Sequence, residues 1–517
     1  MTNSHSPCQI GDRIESGGYI GTVKYVGPIE GKPSIWLGID WDNPQRGKHD
    51  GRVNGVQYFT TRNPTSGSFI RPEKVNCGKS ALASIESRYG QIEDEFTAKI
   101  NKQKQLLIQQ NMNAPFLEMV GFDKVFHKQS DFTALRIVNL RDQGINSAGP
   151  PLRLGETCPN IEELDISKNL LVSWESVFEI CRQLPRLFWL NVSENLLDLP
   201  TISESFPNVT TLICGCMDLD WGHICQLGRI FPSVEEFRAP NNKIRGLSTP
   251  EGFFTKLKLL DLEGNNIEFW TEVCKLGDLP HLEQLILEDI GLQLIEFEGD
   301  SPKVQVFRAM KKLCVVKNLI REWRSVAELN RLESLENLRF SKNPITESEE
   351  PDTIHQIIIA KIANLKILNG VEIEATERRG AEYDYMKKYG LEWLEAKGTN
   401  KEADFLKTHN RYLELIQKYG ELEESELVSK PKIIKNTLVQ LSIIFEDFTI
   451  EKKVPLTMTV QKLIVLTQKL FSLSGRPHLI YASKSDPEIE ILLEDEMKEI
   501  GVYSMQNGDK IIVKDKV

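Results

Sequence analysis

The chain has 517 residues, 40% hydrophobic and 26% charged, with a formal net charge of −11. It is too long for one ordinary core, too apolar for disorder, and too acidic overall for a general nucleic-acid binder. There is no run of about eighteen apolar residues, and the opening Met1-Thr2-Asn3-Ser4-His5-Ser6-Pro7 lacks the basic and apolar regions of a secretory leader, so no membrane role and a cytoplasmic location are expected.

The charge is unevenly placed. Residues 1–80 carry ten Lys and Arg against seven Asp and Glu, while the rest of the chain carries 53 against 67. An acidic ligand is therefore drawn to the first module. The nine cysteines (8, 77, 158, 181, 214, 216, 225, 274, 314) are odd in number and widely spread, which predicts reduced thiols rather than a disulfide framework. Cys214-Gly215-Cys216 has no second cysteine pair or histidine cluster at zinc spacing, so core thiols are expected there.

Between Ile10 and Val75 short apolar runs alternate with glycine: Gly18 to Gly27, Ile35 to Trp41, Tyr58-Phe59 and Ser68 to Pro72. Strands of about five residues separated by turns predict a small twisted β domain. Within it, Gly47-Lys48-His49-Asp50-Gly51 flanks a charged tripeptide with two glycines, which can fold a loop over a ligand without a Cβ in the way. Lys48 and Arg71 offer charge-assisted bonds to carboxylates, and Trp36 with Phe69, if they share a face, offers an apolar slot for an aromatic side chain. Gly78-Lys79-Ser80 ends like a phosphate loop, but Glu73 stands where its first glycine belongs, so a linker is expected instead.

This stretch resembles the CAP-Gly family in Gly21-Thr22-Val23, Trp36-Leu37-Gly38, Gly47 to Gly51, Tyr58-Phe59 and Gly67-Ser68-Phe69-Ile70-Arg71-Pro72. The resemblance implies a grip on an acidic, aromatic-ended protein tail through Trp36, Gly47, Lys48, His49, Asp50, Gly51, Phe69 and Arg71. His49 departs from the usual Asn. A neutral imidazole has one donor and one acceptor, and it becomes cationic when protonated.

Beyond a polar stretch expected to be a helical linker (78–110), a pattern recurs with apolar residues at positions 1, 4, 6 and 11 and often Asn at 9. It runs through Ile161/Leu164/Ile166/Asn169/Leu171, Leu187/Leu190/Val192/Asn195/Leu197, Val234/Phe237/Ala239/Asn242/Ile244 and Leu257/Leu260/Leu262/Asn265/Ile267. Met310/Leu313/Val315/Asn318/Ile320 and Leu335/Leu338/Phe340/Asn343/Ile345 continue it, with degenerate copies from Leu135, Val209 and Leu282. A repeat of about 25 residues is the leucine-rich-repeat period, so residues 111–390 are expected to stack into an α/β solenoid of about nine repeats, capped from Ala363 onward. The Asn side chains are expected to bond backbone of the adjoining turn. Solvent-facing strand residues such as Glu162, Glu163, Trp189, Glu235, Lys258 and Glu283 are the candidates for partner contact.

Residues 391–431 are charged and helix-prone, and are expected to be a linker. From 432 to 517 a hairpin (Leu438 to Phe445, Phe448 to Val454), a helix near Val460 to Phe471 and short runs at His478 to Ala482, Glu490 to Leu493 and Asp509 to Val513 follow the order of an α+β β-grasp, similar to ubiquitin-like domains. The final Lys514-Asp515-Lys516-Val517 lacks the Gly-Gly needed for conjugation, so a docking role is expected.

A small all-β CAP-Gly domain (8–77), a repeat solenoid and a ubiquitin-like end, in that order, make a multidomain chain that resembles the tubulin folding cofactor E family. The resemblance implies a non-enzymatic chaperone, without cofactors, that binds α-tubulin and works with other tubulin folding cofactors to assemble and take apart the α/β heterodimer; the proteasome is a further candidate partner, through the ubiquitin-like domain. A microtubule-tip adaptor and a ubiquitin-like proteasome-docking protein are the alternatives. The scattered histidines (5, 49, 127, 223, 281, 355, 409, 478) form no catalytic or metal signature.

Overall fold

The computed structural model describes residues 8–90, 131–198, 204–299, 301–427, 438–473, 475–484, 490–493, 495–503 and 505–514. They divide into two compact units, Met1–Leu422 and Glu423–Val517.

The first unit opens with an antiparallel sheet of four strands in the order Arg13–Ser16, Tyr19–Ile29, Lys32–Trp41, Gly67–Ile70. Strand alternation puts Leu37, Ile39 and Trp41 on one face, where they are fully buried with Ile14 and Val23. Trp36 and Gly38 go to the opposite face. Gly38 pairs with Tyr25 on one side and Phe69 on the other, so Tyr25, Trp36, Gly38, Phe69 and Arg71 share that outer surface.

The chain closes on itself where Asn76 pairs with Glu15 and Cys8 is bonded to Cys77, their Cα atoms 6.2 Å apart. This corrects the expectation that every cysteine is reduced. Parity and spacing along the chain cannot reveal that the two ends of a 69-residue loop meet in the same small core. The other seven are unbonded, and burial pushes the Cys158 thiol up to about 11 and raises Cys214 well above the ordinary thiol value. Thiol titration of the denatured chain should therefore find seven reactive groups without reductant and nine after reduction.

The expected linker is not one where it is described. Lys79–Ser80 is a short strand parallel to Ile145–Ser147, and Ser80 Oγ caps the helix Ala81–Tyr89 by accepting from the Ala83 N–H at 3.1 Å. Ala81, Leu82, Ile85 and Tyr89 enter the solenoid core, and the Tyr89 hydroxyl accepts from the Asn139 N–H at 2.9 Å. The segment covers the open first repeat. Residues 91–110, and 111–130 of the expected solenoid, lie outside the described residues.

The solenoid is built on an 11-stranded sheet. Ten strands, from Ile137–Asn139 to Ile367–Leu368, run parallel, and Val371–Glu372 turns back antiparallel at the end. Each repeat sends the central residue of its strand (Leu164, Leu190, Leu212, Phe237, Leu260, Leu285, Leu313, Leu338) into one continuous core. The bend after each strand is made by a left-handed residue, among them Lys168, Glu194, Asn241, Asp289, Lys317 and Lys342. Where an Asn follows, as it does after all of these but Asp289, it holds that bend. Asn169 Nδ2 donates to Leu140 O and Ile166 O, both 2.9 Å away, while its Oδ1 accepts from Gln143 N at 3.1 Å and Ile145 N at 2.9 Å. Asn195, Asn242, Asn265, Asn318 and Asn343 repeat the scheme.

The expected spacer at 391–431 is also different where described. The helix Ala375–Ala396 continues through Glu402–Thr408 and Tyr412–Tyr419, and Trp393, Phe405, Tyr412 and Leu415 bury themselves against Ile357, Ala360, Tyr385 and Met386. These helices therefore belong to the solenoid's cap. Their apolar residues are sparse and split between the end of one long helix and two short ones, so no single period marks them. Residues 428–431 lie outside the described residues.

The second unit is a five-stranded sheet in the order Phe448–Pro455, Leu438–Phe445, Lys510–Lys514, His478–Ala482, Glu490–Leu492, packed on the helix Val460–Phe471. The central pair is parallel, as a β-grasp requires. Leu441, Ile443, Leu463, Ile500 and Ile511 form its core. Among the described residues no helix is long and apolar enough to cross a membrane.

Candidate binding site

The outer face of the first sheet carries a group of rings. Phe69 sits at its centre, with ring centroids 5.3 Å from Phe59, 5.4 Å from His49, 5.5 Å from Tyr58 and 6.1 Å from Tyr25. Most contacts are edge-to-face, the arrangement the ring quadrupoles favour. Two hydroxyls are tied to backbone: Tyr58 accepts from the Glu30 N–H at 2.9 Å, and Tyr25 donates to Pro28 O at 2.6 Å. Beside this group, Arg71 (4.2 Å) and Lys32 (5.0 Å) both lie over the Trp36 ring. Arg71 also donates to the Ser34 hydroxyl, which fixes its guanidinium over the indole.

The loop Gly47 to Gly51 closes one side. Its Lys48 N–H donates to Gly67 O at 2.7 Å, and Gly67 N–H donates back to His49 O at 2.8 Å. This seam leaves no room for side chains. A Cβ on Gly47 lies 2.3 Å from Ser66 C, and one on Gly67 lies 2.4 Å from His49 O. Gly51 has φ +96°.

His49 takes over the amide's role by geometry. Its Nδ1 accepts from the Gly51 N–H at 3.0 Å, the two-residue turn bond that an Asn side chain makes with its oxygen. That bond needs Nδ1 without a proton. Burial lowers the His49 pKa, opposed by Asp50, so the imidazole is neutral at pH 7. Asp50 itself is exposed, and its carboxylate accepts from the Arg52 N–H at 3.1 Å, which makes it a turn former. Lys48 is exposed with its ammonium available to a ligand.

Gly47, His49, Gly51 and Phe69 thus meet at one end of the face and Trp36 with Arg71 at the other, while Lys48 rides on the loop. Tyr25, Tyr58 and Phe59 complete the ring group without having been singled out as site residues; the Tyr58-Phe59 pair was the signal for two of them. The buried Asp40 supports the loop from below, accepting from Ser66 Oγ at 2.6 Å and from Arg62 Nε at 3.1 Å.

The CAP-Gly domain family matches residues 10–75. A tubulin-specific chaperone E of Bos taurus is 38% identical over 533 aligned residues, covering 99% of this chain and 100% of that protein. The chain belongs to the tubulin-specific chaperone E family. Its Drosophila melanogaster relative is 34% identical, covering 98% of both chains. Among solved structures, the C-terminal ubiquitin-like domain of mouse tubulin-specific chaperone E is 31% identical to 16% of this chain, covers 91% of its own length, and superposes with a TM-score of 0.15. Family membership and the three architectures above agree on a multidomain chain with CAP-Gly, repeat and ubiquitin-like parts.

Proposed function

We propose that the chain is a non-catalytic tubulin-folding chaperone that holds α-tubulin at two points. The CAP-Gly face takes the acidic, aromatic-ended tail: Lys48 and Arg71 meet its carboxylates, and the apolar surface of Trp36 and Phe69 receives the terminal ring. The solenoid's sheet face takes the globular body. With the other tubulin folding cofactors it joins α to β tubulin and takes the heterodimer apart, and the ubiquitin-like end docks on the proteasome. The observation that carries the tail reading is the convergence of Phe69, Tyr25, Tyr58, Trp36 and two cations on one face of the first module. Tethering multiplies modest affinities, because the second contact forms at a high effective concentration.

Binding of the full chain to α-tubulin tail peptides tests this. Removing the terminal aromatic residue should weaken the peptide severely, and Lys48→Ala or Arg71→Ala should each weaken the intact peptide roughly tenfold, as expected for a lost charge-assisted bond. Equal binding of the two peptides rejects the tail reading.

His49 adds a pH dependence. Its folded pKa lies below the ordinary value of about 6.5, so its stabilising bond to Gly51 is complete above that pH and is lost as the pH falls and Nδ1 gains a proton. Tail affinity should hold above about pH 6.5 and fall as the pH drops below it in the parent, and stay level in His49→Asn, whose amide oxygen accepts at every pH. Parallel profiles refute the assignment.

A further inference from the structure

The chain passes from the first module into the solenoid through residues 77–80, and the solenoid grips that passage closely. Cys77 O accepts from Asn146 Nδ2 at 2.8 Å, and the Lys79 N–H donates to Gly144 O at 2.9 Å. Between them Gly78 has φ +88°, and a Cβ there would lie 2.6 Å from Gly144 O. On the module's side the same stretch is held by two backbone bonds between Asn76 and Glu15, at 2.8 and 3.0 Å, by Ser16 Oγ donating to Lys74 O at 2.8 Å, and by the Cys8–Cys77 bond. Cys77 therefore ties the core of one module to the backbone of the other.

The two sulfurs of that bond are unequally placed. Cys8 is buried with Ile14, Leu37 and Trp41, whereas Cys77 packs against this cluster from its edge and is only half-buried. A thiolate from solution thus meets the bond at Cys77, and Cys8 is the group that leaves. The other seven cysteines are free thiols. Seven free thiols beside one bonded pair is the pattern of a chain that lives among reduced thiols, where a disulfide is set by the local redox balance and is not a permanent staple.

We propose that the Cys8–Cys77 bond is a redox clamp on the joint between the first module and the solenoid, opened by a dithiol and closed by a disulfide oxidant. In opening, a thiolate of the dithiol attacks Cys77 Sγ, the Cys8–Cys77 bond breaks, and Cys8 leaves as a thiolate that takes up a proton. The second thiol of the reductant then attacks the mixed disulfide, Cys77 leaves and is protonated, and the reductant is left as a disulfide. Two electrons and two protons have passed to the chain, and closing is the reverse. Once open, residues 8–11 lose their anchor and the stretch through Asn76 keeps only its hydrogen bonds, so the joint gains freedom while the four-stranded sheet and its ring face keep their register. The inference rests on the two-point reading of tubulin binding. The two contacts lie on either side of this joint, so fixing it raises the effective concentration of the second contact once the first is made.

The test compares the full chain, oxidised or treated with dithiothreitol, with the Cys8→Ser/Cys77→Ser double variant, which holds the clamp open without reductant. Treating the folded parent should free both bonded thiols, speed amide exchange at Asn76 and Lys79 roughly tenfold, and weaken binding to intact tubulin roughly tenfold while tail-peptide affinity stays level. The variant should sit at the open level throughout and ignore dithiothreitol, so that any effect of the reagent on tubulin itself shows there; if the variant does not fold, the treated parent supplies the open state. A bond that resists the dithiol until the chain unfolds overturns the clamp, as does exchange at Asn76 and Lys79 that is the same open and closed. Equal tubulin affinity of the two states, with the tail peptide still bound, also overturns it. If the parent binds neither tubulin nor tail peptide, the two-point reading fails and the exchange rates alone decide the clamp.

Discussion

Replacing Gly51 with alanine should abolish tail binding by the first module. Gly51 has φ +96°, and a Cβ there lies 1.9 Å from Phe59 O and 2.7 Å from Phe59 C. The clash is with backbone, so no side-chain rotation relieves it. Phe59 cannot retreat either: it is buried, its ring is 5.3 Å from Phe69, and it already covers Gly38. Both backbone groups of Gly51 are in use, the N–H to His49 Nδ1 and the oxygen to the Tyr58 N–H at 3.1 Å. Left-handed strain of about 1–2 kcal/mol combines with an overlap of the kind that destabilises by several more, for a total of roughly 3–5 kcal/mol. Gly55→Ala is the control. Its φ is +83° but a Cβ there meets nothing within 4 Å, so only about 1 kcal/mol is expected and tail affinity should persist. Tail-peptide titration and amide exchange of Lys48 and Gly67 in the two variants measure the contrast; equal behaviour would show that the loop yields to the added carbon.

Gly51 also marks where sequence reading succeeds and where it stops. The ladder asparagines were legible because each does the same job once per repeat: it satisfies buried backbone groups that a neighbouring turn leaves open. The β-grasp was legible because Leu438–Phe445 and Val460–Phe471 keep clean periods of two and 3.6. His49 was visible as a departure, but its substitute for the amide oxygen is a matter of one distance, 3.0 Å, which no pattern encodes. Tyr25 joins the ring group only through the cross-strand register that seats it beside Gly38, and Cys8 finds Cys77 only because the first module closes. The ends of the solenoid were the least legible. Their apolar residues, Ile85 and Tyr89 at the start and Trp393, Phe405 and Tyr412 at the finish, lie among charges and repeat with no fixed spacing. A cap covers one open end once, so it has no period to display.

That finishing cap should be the most sensitive part of the first unit to loss of a single charge. Glu382 is fully buried between the last helices and accepts from three donors: Arg411 Nη2 at 2.9 Å, Lys418 Nζ at 2.7 Å and the Tyr419 hydroxyl at 2.7 Å. Arg411 in turn donates to Ala360 O, and Arg378 donates to Ile359 O at 3.0 Å and Ile362 O at 3.2 Å, so the cations close the C-terminal carbonyls of the helix Pro351–Lys361. Glu382→Ala leaves the buried Arg411 with the half-exposed Glu414 as its one carboxylate among the described residues, which should cost about 3–5 kcal/mol and lower the melting transition on the order of 10 °C. Burial alone would raise the Glu382 pKa, but the bonds from Lys418, Tyr419 and Arg411 bring it below the usual value. A depressed carboxylate contributes fully above its unfolded pKa of about 4.3 and loses that contribution as pH falls through the lower folded value, so parent and variant should differ most at neutral pH and converge in acid. Thermal unfolding of both chains from pH 7 to about pH 3 measures this. A constant gap across that range would mean that Glu382 acts by packing and that the charge network does not hold the cap closed.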